Sequence, residues 1–289
     1  MSAVPASGGG ALRLPAIDVR ALRPGIVLAS LTLTFFVLAA IAPSLLSGGR
    51  DATTIDLGAT LQSPSLHHLF GTDQAGRDLY ARVVFGTRNS LLIGLGATAL
   101  SMSVATVLGV LAGLSGRFVD GIVNRLLEVV FSFPVLLLAL LFVTIFGASA
   151  TTQIVAVGIG TAPGYARMIR GQVLAVRGSG YVEAAGALGH SYPRTIRRHI
   201  LPNAMRPLIA MVTLGVGQSI VWASSLAFLG LGVPPPSPEW GALLDAGKDY
   251  VTKAWWLEVV PGLAIVLFAL AVTTLGRHVQ NRLEGATDR

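Results

Sequence analysis

The sequence predicts an all-α membrane protein with six transmembrane helices. Three observations carry this. Hydrophobic residues fill 53% of the 289 positions and charged residues only 12%, against about 25% charged in soluble domains. Mean hydropathy is +0.69, and uncharged runs reach the roughly 20 residues a helix needs to cross a hydrocarbon core of about 30 Å. Basic residues collect on alternate connecting segments, as the positive-inside rule requires.

The elements follow in order. Residues 1–12 (MSAVPASGGGAL) are small and rich in Pro and Gly, and predict a disordered start to a cytoplasmic tail over 1–24. The first uncharged run is Gly25 to Leu46. Arg13, Arg20 and Arg23 ahead of it, and small residues near Ala42, also suit a signal peptide. Pro43 would then follow the cut, and the run exceeds the about 7–15 residues of an h-region, so it reads as an uncleaved first helix. With an extracytoplasmic segment it makes a unit over 25–86. The second helix runs from Leu91 to Leu114 and carries Gly109-xxx-Gly113, small residues that permit close helix approach. The uncharged run from Val129 to Ala166 is too long for one helix. It divides at Gly147 to Thr152 (GASATT) into helices near Arg125–Phe146 and Gln153–Val173, the first kinked by Pro134. Glu128 and Arg167 then fall near the cytoplasmic ends. A fifth helix spans Arg206 to about Leu229. A sixth spans about Leu257 to Gly276, with Pro261 tolerated in its first turn. Helices two to six form a core over 87–277, followed by a cytoplasmic tail over 278–289. No solenoid-type period is present.

Charge sets the orientation. With the N-terminus inside, Arg13, Arg20, Arg23, Arg117, Arg125, Arg167, Arg170, Arg177, Arg194, Arg197, Arg198, Arg206, Arg277, Arg282 and Arg289 lie on inner segments. Only Arg50, Arg77, Arg82, Arg88, Lys248 and Lys253 lie on outer ones, roughly balanced there by Asp51, Asp56, Asp73, Asp78, Glu239, Asp245 and Asp249. The expected topology is therefore N-in/C-in. The same asymmetry accounts for the net charge of +7 without a nucleic-acid partner. With no cysteine in the chain, disulfides and Cys-based metal or redox sites are excluded.

One segment is out of keeping with its surroundings. Glu183 to Pro202 reads EAAGALGHSYPRTIRRHILP, polar and basic between two apolar runs. Tyr181 to Leu188 holds good helix formers, and Gly189 breaks them. Ser191 suits an N-cap and Pro193 an early helical position. A second short helix, Tyr192 to Ile200, would present Arg194, Arg197 and Arg198, with Pro202 ending it. This predicts a helix–turn–helix lying on the cytoplasmic face between helices four and five, tied to both. The arginines also have a plainer reading, since positive-inside charge alone accounts for them.

The pattern EAA, a Gly six residues after the Glu, and a Leu-Pro ending resembles permease subunits of bacterial ABC importers. Glu183, Ala184, Ala185, Gly189, Leu201 and Pro202 fall on it. His199 stands where that family usually has Ile, and the resulting HILPN ending is similar to the dipeptide/oligopeptide/nickel branch. So are HHLFGTDQAGRDLYARVVFGTRNSLLIG (His67 to Gly94), ARMIRGQVLAVR (Ala166 to Arg177) and SLAFLGLGVPPPSPEWGALL (Ser225 to Leu244). The resemblance runs from about residue 20 to the C-terminus and favours the C-type permease subunit. It implies a type I ABC importer permease fold, with the EAA segment as a cytoplasmic coupling helix pair, in a multi-pass protein of a bacterial cytoplasmic (inner) membrane. It implies a second permease subunit in a heterodimer, one or two ABC ATPase subunits, an extracytoplasmic substrate-binding protein and the lipid bilayer as partners. This chain has no G-x-x-x-x-G-K-[ST] phosphate loop, so no cofactor is expected in it; ATP and Mg belong to the ATPases. The implied cargo is di- or oligopeptides, with nickel or another small solute as the alternative.

Other candidates divide between function and packing. His67 and His68 suit a transition metal but equally an ordinary loop, and no metal site is assigned. Asp73, Arg77 and Asp78 suit a short interfacial helix better than a substrate site. Gln218, Ser219, Trp222, Ser224 and Ser225 put polar groups on helix five, to line a pathway or to bond neighbouring helices. Trp240, Trp255 and Trp256 read as interfacial aromatics, and Gly230, Gly232 and Pro234 to Pro236 as a turn. An intramembrane hydrolase would need a catalytic set at membrane depth, and the expected spans hold no His or Asp. A stand-alone channel or secondary carrier has no use for the EAA segment.

Overall fold

The computed structural model describes residues 24–285, and every regular element among them is a helix. The expected disordered start, residues 1–12, lies outside the described residues. Helix α1, Pro24–Ile41, does not run to Leu46 as expected. Ala42 takes φ −134°, ψ 64° ahead of Pro43, because a residue before proline is pushed out of the α region. The chain restarts as α2, Pro43–Leu46.

The 47–78 loop ends in a turn, not the expected interfacial helix. Asp73 Oδ1 accepts from the backbone N–H groups of Ala75 and Arg77 at 2.8 and 3.0 Å, and its Oδ2 accepts from Arg77 Nε at 2.7 Å. Asp78 accepts from Ala81 N–H at 3.0 Å and caps α3, Leu79–Leu114. Aspartates that take up nearby backbone donors favour turns and caps over helix interiors. His68 Nδ1 lies 3.0 Å from Asp78 Oδ2. The cap also explains why α3 starts at Leu79 and not at Leu91. Arg82 is buried inside its first turns because Ala52 C=O accepts from Nη1 at 3.1 Å and Asp73 Oδ2 lies 3.5 Å from Nε.

The expected third span is two helices, α4, Arg117–Ser132, and α5, Val135–Phe146, meeting at 84°. Phe133 is extended, at φ −85°, ψ 126°. Pro134 supplies no N–H and excludes the α region at Phe133, so the predicted kink is a full break. Gly147, at φ +78°, turns the chain, and Ser149 Oγ accepts from Thr152 N–H at 3.1 Å to start α6, Ala150–Arg177. There follow α7, Gly180–Ala187; α8, Tyr192–Thr195; a π turn, Ile196–Ile200; α9, Leu201–Met205; and α10, Leu208–Leu226, closed by a second π turn, Ala227–Leu231. Pro202 therefore does not end a helix: it sits in the first turn of α9, after the widened turn in which Leu201 N–H reaches Ile196 C=O. Beyond the Gly- and Pro-rich turn stand α11, Trp240–Gly247, and α12, Trp256–Gly285. Since α12 starts at Trp256, Pro261 lies past its first turn, inside the helix, and the helix continues beyond the expected end at Gly276.

Among the described residues, four helices are long and apolar enough to cross a membrane, starting at Pro24, Leu79, Ala210 and Trp256, or five with the bent α4–α5 pair. The remaining expected span, the fourth, near Gln153–Val173, is α6. It has 28 residues but is less apolar, with Gln153, Thr152, Thr161 and four glycines along it.

That composition follows from its place. Helices α3 and α6 form the centre of the bundle, and their small residues let the backbones nearly touch. A Cβ on Gly109 would lie 2.6 Å from Ala166 C=O, and one on Gly113 would lie 2.6 Å from Val173 Cγ1. Thr161 donates to Ser101 at 2.9 Å and Thr98 to Ser219 at 3.0 Å, joining α6 and α10 to α3. At the end that carries the 47–78 loop, Trp240 and Trp256 are core residues and not interfacial aromatics. Trp240 Nε1 donates to Val83 C=O and Trp256 Nε1 to Thr72 C=O, at 3.0 and 3.1 Å. Only Trp255 of the three is exposed.

Glu239 pins α11 to α3. It is 1% exposed, accepts from Gly241 and Ala242 N–H at 2.9 Å, and accepts from Ser90 Oγ at 3.1 Å. Burial raises its pKa, against the lowering effect of these hydrogen bonds. The folded state thus holds this proton to higher pH than the unfolded chain. Its stability is greatest below the ordinary glutamate range and declines as pH rises from there through the folded value.

Three outcomes follow. Gly113→Leu forces α3 from α6 and should cost at least about 1–3 kcal/mol, read as a lower Tm in detergent. Gly121→Ala, inside α4 with open space around it, should not lower Tm and should raise it slightly, since Gly within a helix costs about 0.5–1 kcal/mol relative to Ala. Glu239→Gln keeps an acceptor for the α11 amides without the charge. Its Tm relative to that of wild type should rise between about pH 5 and about pH 8; a constant difference across that range would contradict the burial argument.

Candidate functional site

The EAA segment is built as a braced corner. Glu183 lies in the first turn of α7 and is exposed, as is Ala184, while Ala185 is 5% exposed and packs inward. Gly189 has φ +79°, so α7 can end with a left-handed residue. His190 N–H reaches Ala185 C=O at 3.1 Å and Gly189 N–H reaches Gly186 C=O at 3.0 Å. These are the two bonds of a Schellman closure. A Cβ at Gly189 would meet nothing within 4 Å; backbone conformation, not crowding, calls for glycine there. Ser191 takes the N-cap position of α8 with Pro193 at its start, but the Ser191 hydroxyl makes no capping bond. The rings of His190 and His199 stack with centroids 5.4 Å apart, and Nδ1 of the first is 3.3 Å from Nε2 of the second. This contact closes the corner.

The inward face is apolar. Ile200 and Ala204 are buried with Val123 and Leu127 of α4 and with Ala166, Ile169 and Val173 of α6, and Val182 and Ile196 pack on that cluster. The outward face shows Glu183, Arg194, Arg197, Arg198 and Pro202, with Leu188 80% exposed. Leu201 is half-buried. A bidentate pair holds the base: Arg170 Nε and Nη2 lie 2.6 Å from Asp120 Oδ1 and Oδ2. Arg177 Nη1 donates to the Gly113 and Leu114 carbonyls at 3.3 and 3.4 Å, and Tyr192 Oη donates to Leu114 C=O at 3.0 Å.

The candidate pathway residues separate. Gln218 and Trp222 line a groove of about 300 Å³ with Phe131, Val135, Gly160 and Tyr165, and Tyr165 Oη donates to Gln218 Oε1 at 3.0 Å. Ser225 lies on the same exposed face of α10 and bonds its own helix at Val221 C=O. Ser219 is 3% exposed and accepts from Thr98. Ser224 is buried as well. His68 is engaged by Asp78, while His67 is exposed.

Sequence reasoning missed Asp120, Tyr165, Glu239 and the bracing role of Arg177 and Tyr192. The Asp120–Arg170 pair spans 50 positions and leaves no local pattern. Glu239 had a signal: an acid after Pro238 and before an apolar run is an N-cap pattern.

The fold and this braced segment define a permease of the type I ABC importer class. Two solved structures share the fold: the inward-facing MetNI methionine ABC transporter, at TM-score 0.60 and 17% identity over 70% of this chain and 96% of that one, and an amino acid ABC transporter solved with histidines, at TM-score 0.55 and 19% identity over 70% and 94%. Residues 105–287 match the family described as "Binding-protein-dependent transport system inner membrane component", and the chain belongs to that family. Among curated relatives, the dipeptide transport system permease DppC of Alkalihalophilus pseudofirmus is 37% identical over 87% of this chain and 83% of its own length. The probable D,D-dipeptide permease DdpC of Escherichia coli is 39% identical over 81% and 79%. The glutathione permease GsiD of Pectobacterium atrosepticum is 38% identical over 77% and 74%. The chain is thus a multi-pass transport component of a bacterial cytoplasmic membrane, working with ABC transporter partners.

The Schellman closure can be tested directly. Gly189→Ala should cost about 1–2 kcal/mol for the left-handed conformation and speed amide exchange across residues 186–190 about tenfold at 1.4 kcal/mol per decade. Exchange elsewhere in the chain should stay as in wild type.

Proposed function

We propose that the chain is the permease subunit of an ATP-driven importer of di- and oligopeptides, coupled to separate ATPase subunits through α7–α9. The observation that carries this is the braced corner: an exposed face bearing Glu183, set on a buried face anchored to α4 and α6. Such an element accepts a push and passes it on without folding away. ATP and its Mg are held by the ATPase subunits, of which there are one or two chains. A second permease subunit completes the pathway, and an extracytoplasmic binding protein delivers the cargo.

The peptide cargo is supported by the dipeptide permeases among the relatives. It is also supported by the groove, whose lining is apolar and aromatic around one neutral polar pair, Tyr165 and Gln218. Varied peptides need few fixed contacts. Gln218, Trp222 and Ser225 are the residues on this face we assign to the pathway; Ser219 bonds helices. The nickel alternative finds less support, since His68 is held by Asp78. The inner-segment arginines favour N-in/C-in, with α7–α9 in the cytoplasm.

Glu183→Lys should leave the protein in the membrane at normal abundance, release the ATPase subunits on purification, and reduce labelled-dipeptide uptake in a deletion strain by more than about tenfold. Wild-type uptake in this variant, or a reporter inserted after Gly180 found outside the cell, defeats the reading.

A further inference from the structure

Helix α3 is not joined directly to the proposed coupling element, since α4, α5 and α6 lie between them in the chain. Helix α6 enters α7 through Gly178 and Ser179, and α9 leads into α10. Yet α3 is the longest helix described, at 36 residues. It contacts α1, α10, α11 and α12 as well as α6, so the mobility of most of the bundle depends on whether it follows the element.

The C-terminal end of α3 shows how it is attached. The last carbonyls of a helix lack intrahelical partners. Here Ser115 is extended and Gly116 leads at once into α4, with no left-handed cap to take up those carbonyls. Gly113 and Leu114 C=O are taken instead by Arg177 and Tyr192. The two donors flank α7: Arg177 is the last residue of α6 and Tyr192 the first of α8. Arg177 also places a cation at the negative end of the α3 dipole. The Tyr192 carbonyl is bonded into α8, which holds the backbone that carries this anchor. Val173 lies against Gly113 with no room for a methyl group. The ends of α3, α6 and α8 thus form one three-way joint.

We propose that Arg177 and Tyr192 are positioning residues that strap α3 to the coupling element, so that a stroke delivered to α7–α9 moves α3 together with α6. This rests on the reading of α7–α9 as the ATPase dock; Arg177 and Tyr192 are exposed beside that face, and their side chains bond α3.

The test uses the whole transporter in liposomes, with its ATPases, second permease and binding protein, and labelled dipeptide as cargo. The double variant Arg177→Gln/Tyr192→Phe should assemble and hydrolyse ATP within about twofold of wild type, while dipeptide imported per ATP falls about tenfold. Arg177→Lys, which still donates to a carbonyl, should retain most of the coupling. Because the chain has no cysteine, Val107→Cys and Tyr181→Cys can carry spin labels that report the distance from α3 to α7. That distance should stay constant through the ATP cycle in wild type and vary in the double variant. Unchanged import per ATP overturns the proposal, and so does loss of assembly in the double variant, which would place both residues in docking or folding. Failure of the docking reading itself shows separately, as full assembly of the Glu183→Lys complex.

Discussion

The contact between α3 and α6 is the constraint on which the rest of the structure depends. In lipid, apolar side chains gain nothing by leaving one apolar surroundings for another, so helices associate through close packing and interhelical hydrogen bonds. Gly109 and Gly113 lie four apart, on one face of α3, and meet Ala166, Ile169 and Val173 at backbone distance. Ala105 and Ala112 join the same buried cluster. Every element placed later refers to this pair. Helix α10 is joined to α3 by Thr98 and Ser219 and to α6 by Gln153. Helix α7 takes its position from the end of α6, two residues away.

Charge is used at the two ends and avoided between them. At one end Asp73, Arg77 and Arg82 form a buried group, and Asp78 lies near His68 and Arg50. At the other, Asp120 and Arg170 hold α4 to α6. Paired arginines with fixed fork geometry set orientation as well as energy. The exposed pairs Arg125–Glu128 and Lys248–Asp245 are neighbours on single helices, and such pairs contribute little. The ends are therefore rigid while the middle of the bundle holds only weak polar contacts.

Helix type and order were legible in the sequence because uncharged runs bounded by Pro, Gly and Ser admit little else. Boundaries were less so, and the misses share a cause: partners distant in sequence. The expected start at Leu91 followed an uncharged run, yet α3 begins at Leu79 and takes in Arg82, which Ala52 and Asp73 accept. Trp240 and Trp256 read as interfacial until their indole N–H groups found Val83 and Thr72. Pro134 marked a kink, yet the sequence carried no measure of its 84°. Pro202 marked a stop, and a π turn just before it let the helix proceed. In the EAA segment the turn at Gly189 was legible, since it is local. The His190–His199 stack and the anchors on Leu114 were not.

The residues of the EAA pattern divide by task once their surroundings are known. Ala185 is small because it faces the bundle, and Gly189 is glycine because the corner needs a left-handed residue. Both serve shape. Glu183, Ala184 and Pro202 face outward, where shape has no use for them. A segment that joins a rigid corner to an exposed surface of this kind suits the proposed dock. The corner would be superfluous if Arg194, Arg197 and Arg198 served only to orient the chain in the membrane, since positive-inside charge acts from an unstructured loop as well as from a folded one. A left-handed turn, a stacked histidine pair and hydrogen bonds from Arg177 and Tyr192 to a neighbouring helix fit the proposed coupling role, which needs a rigid element.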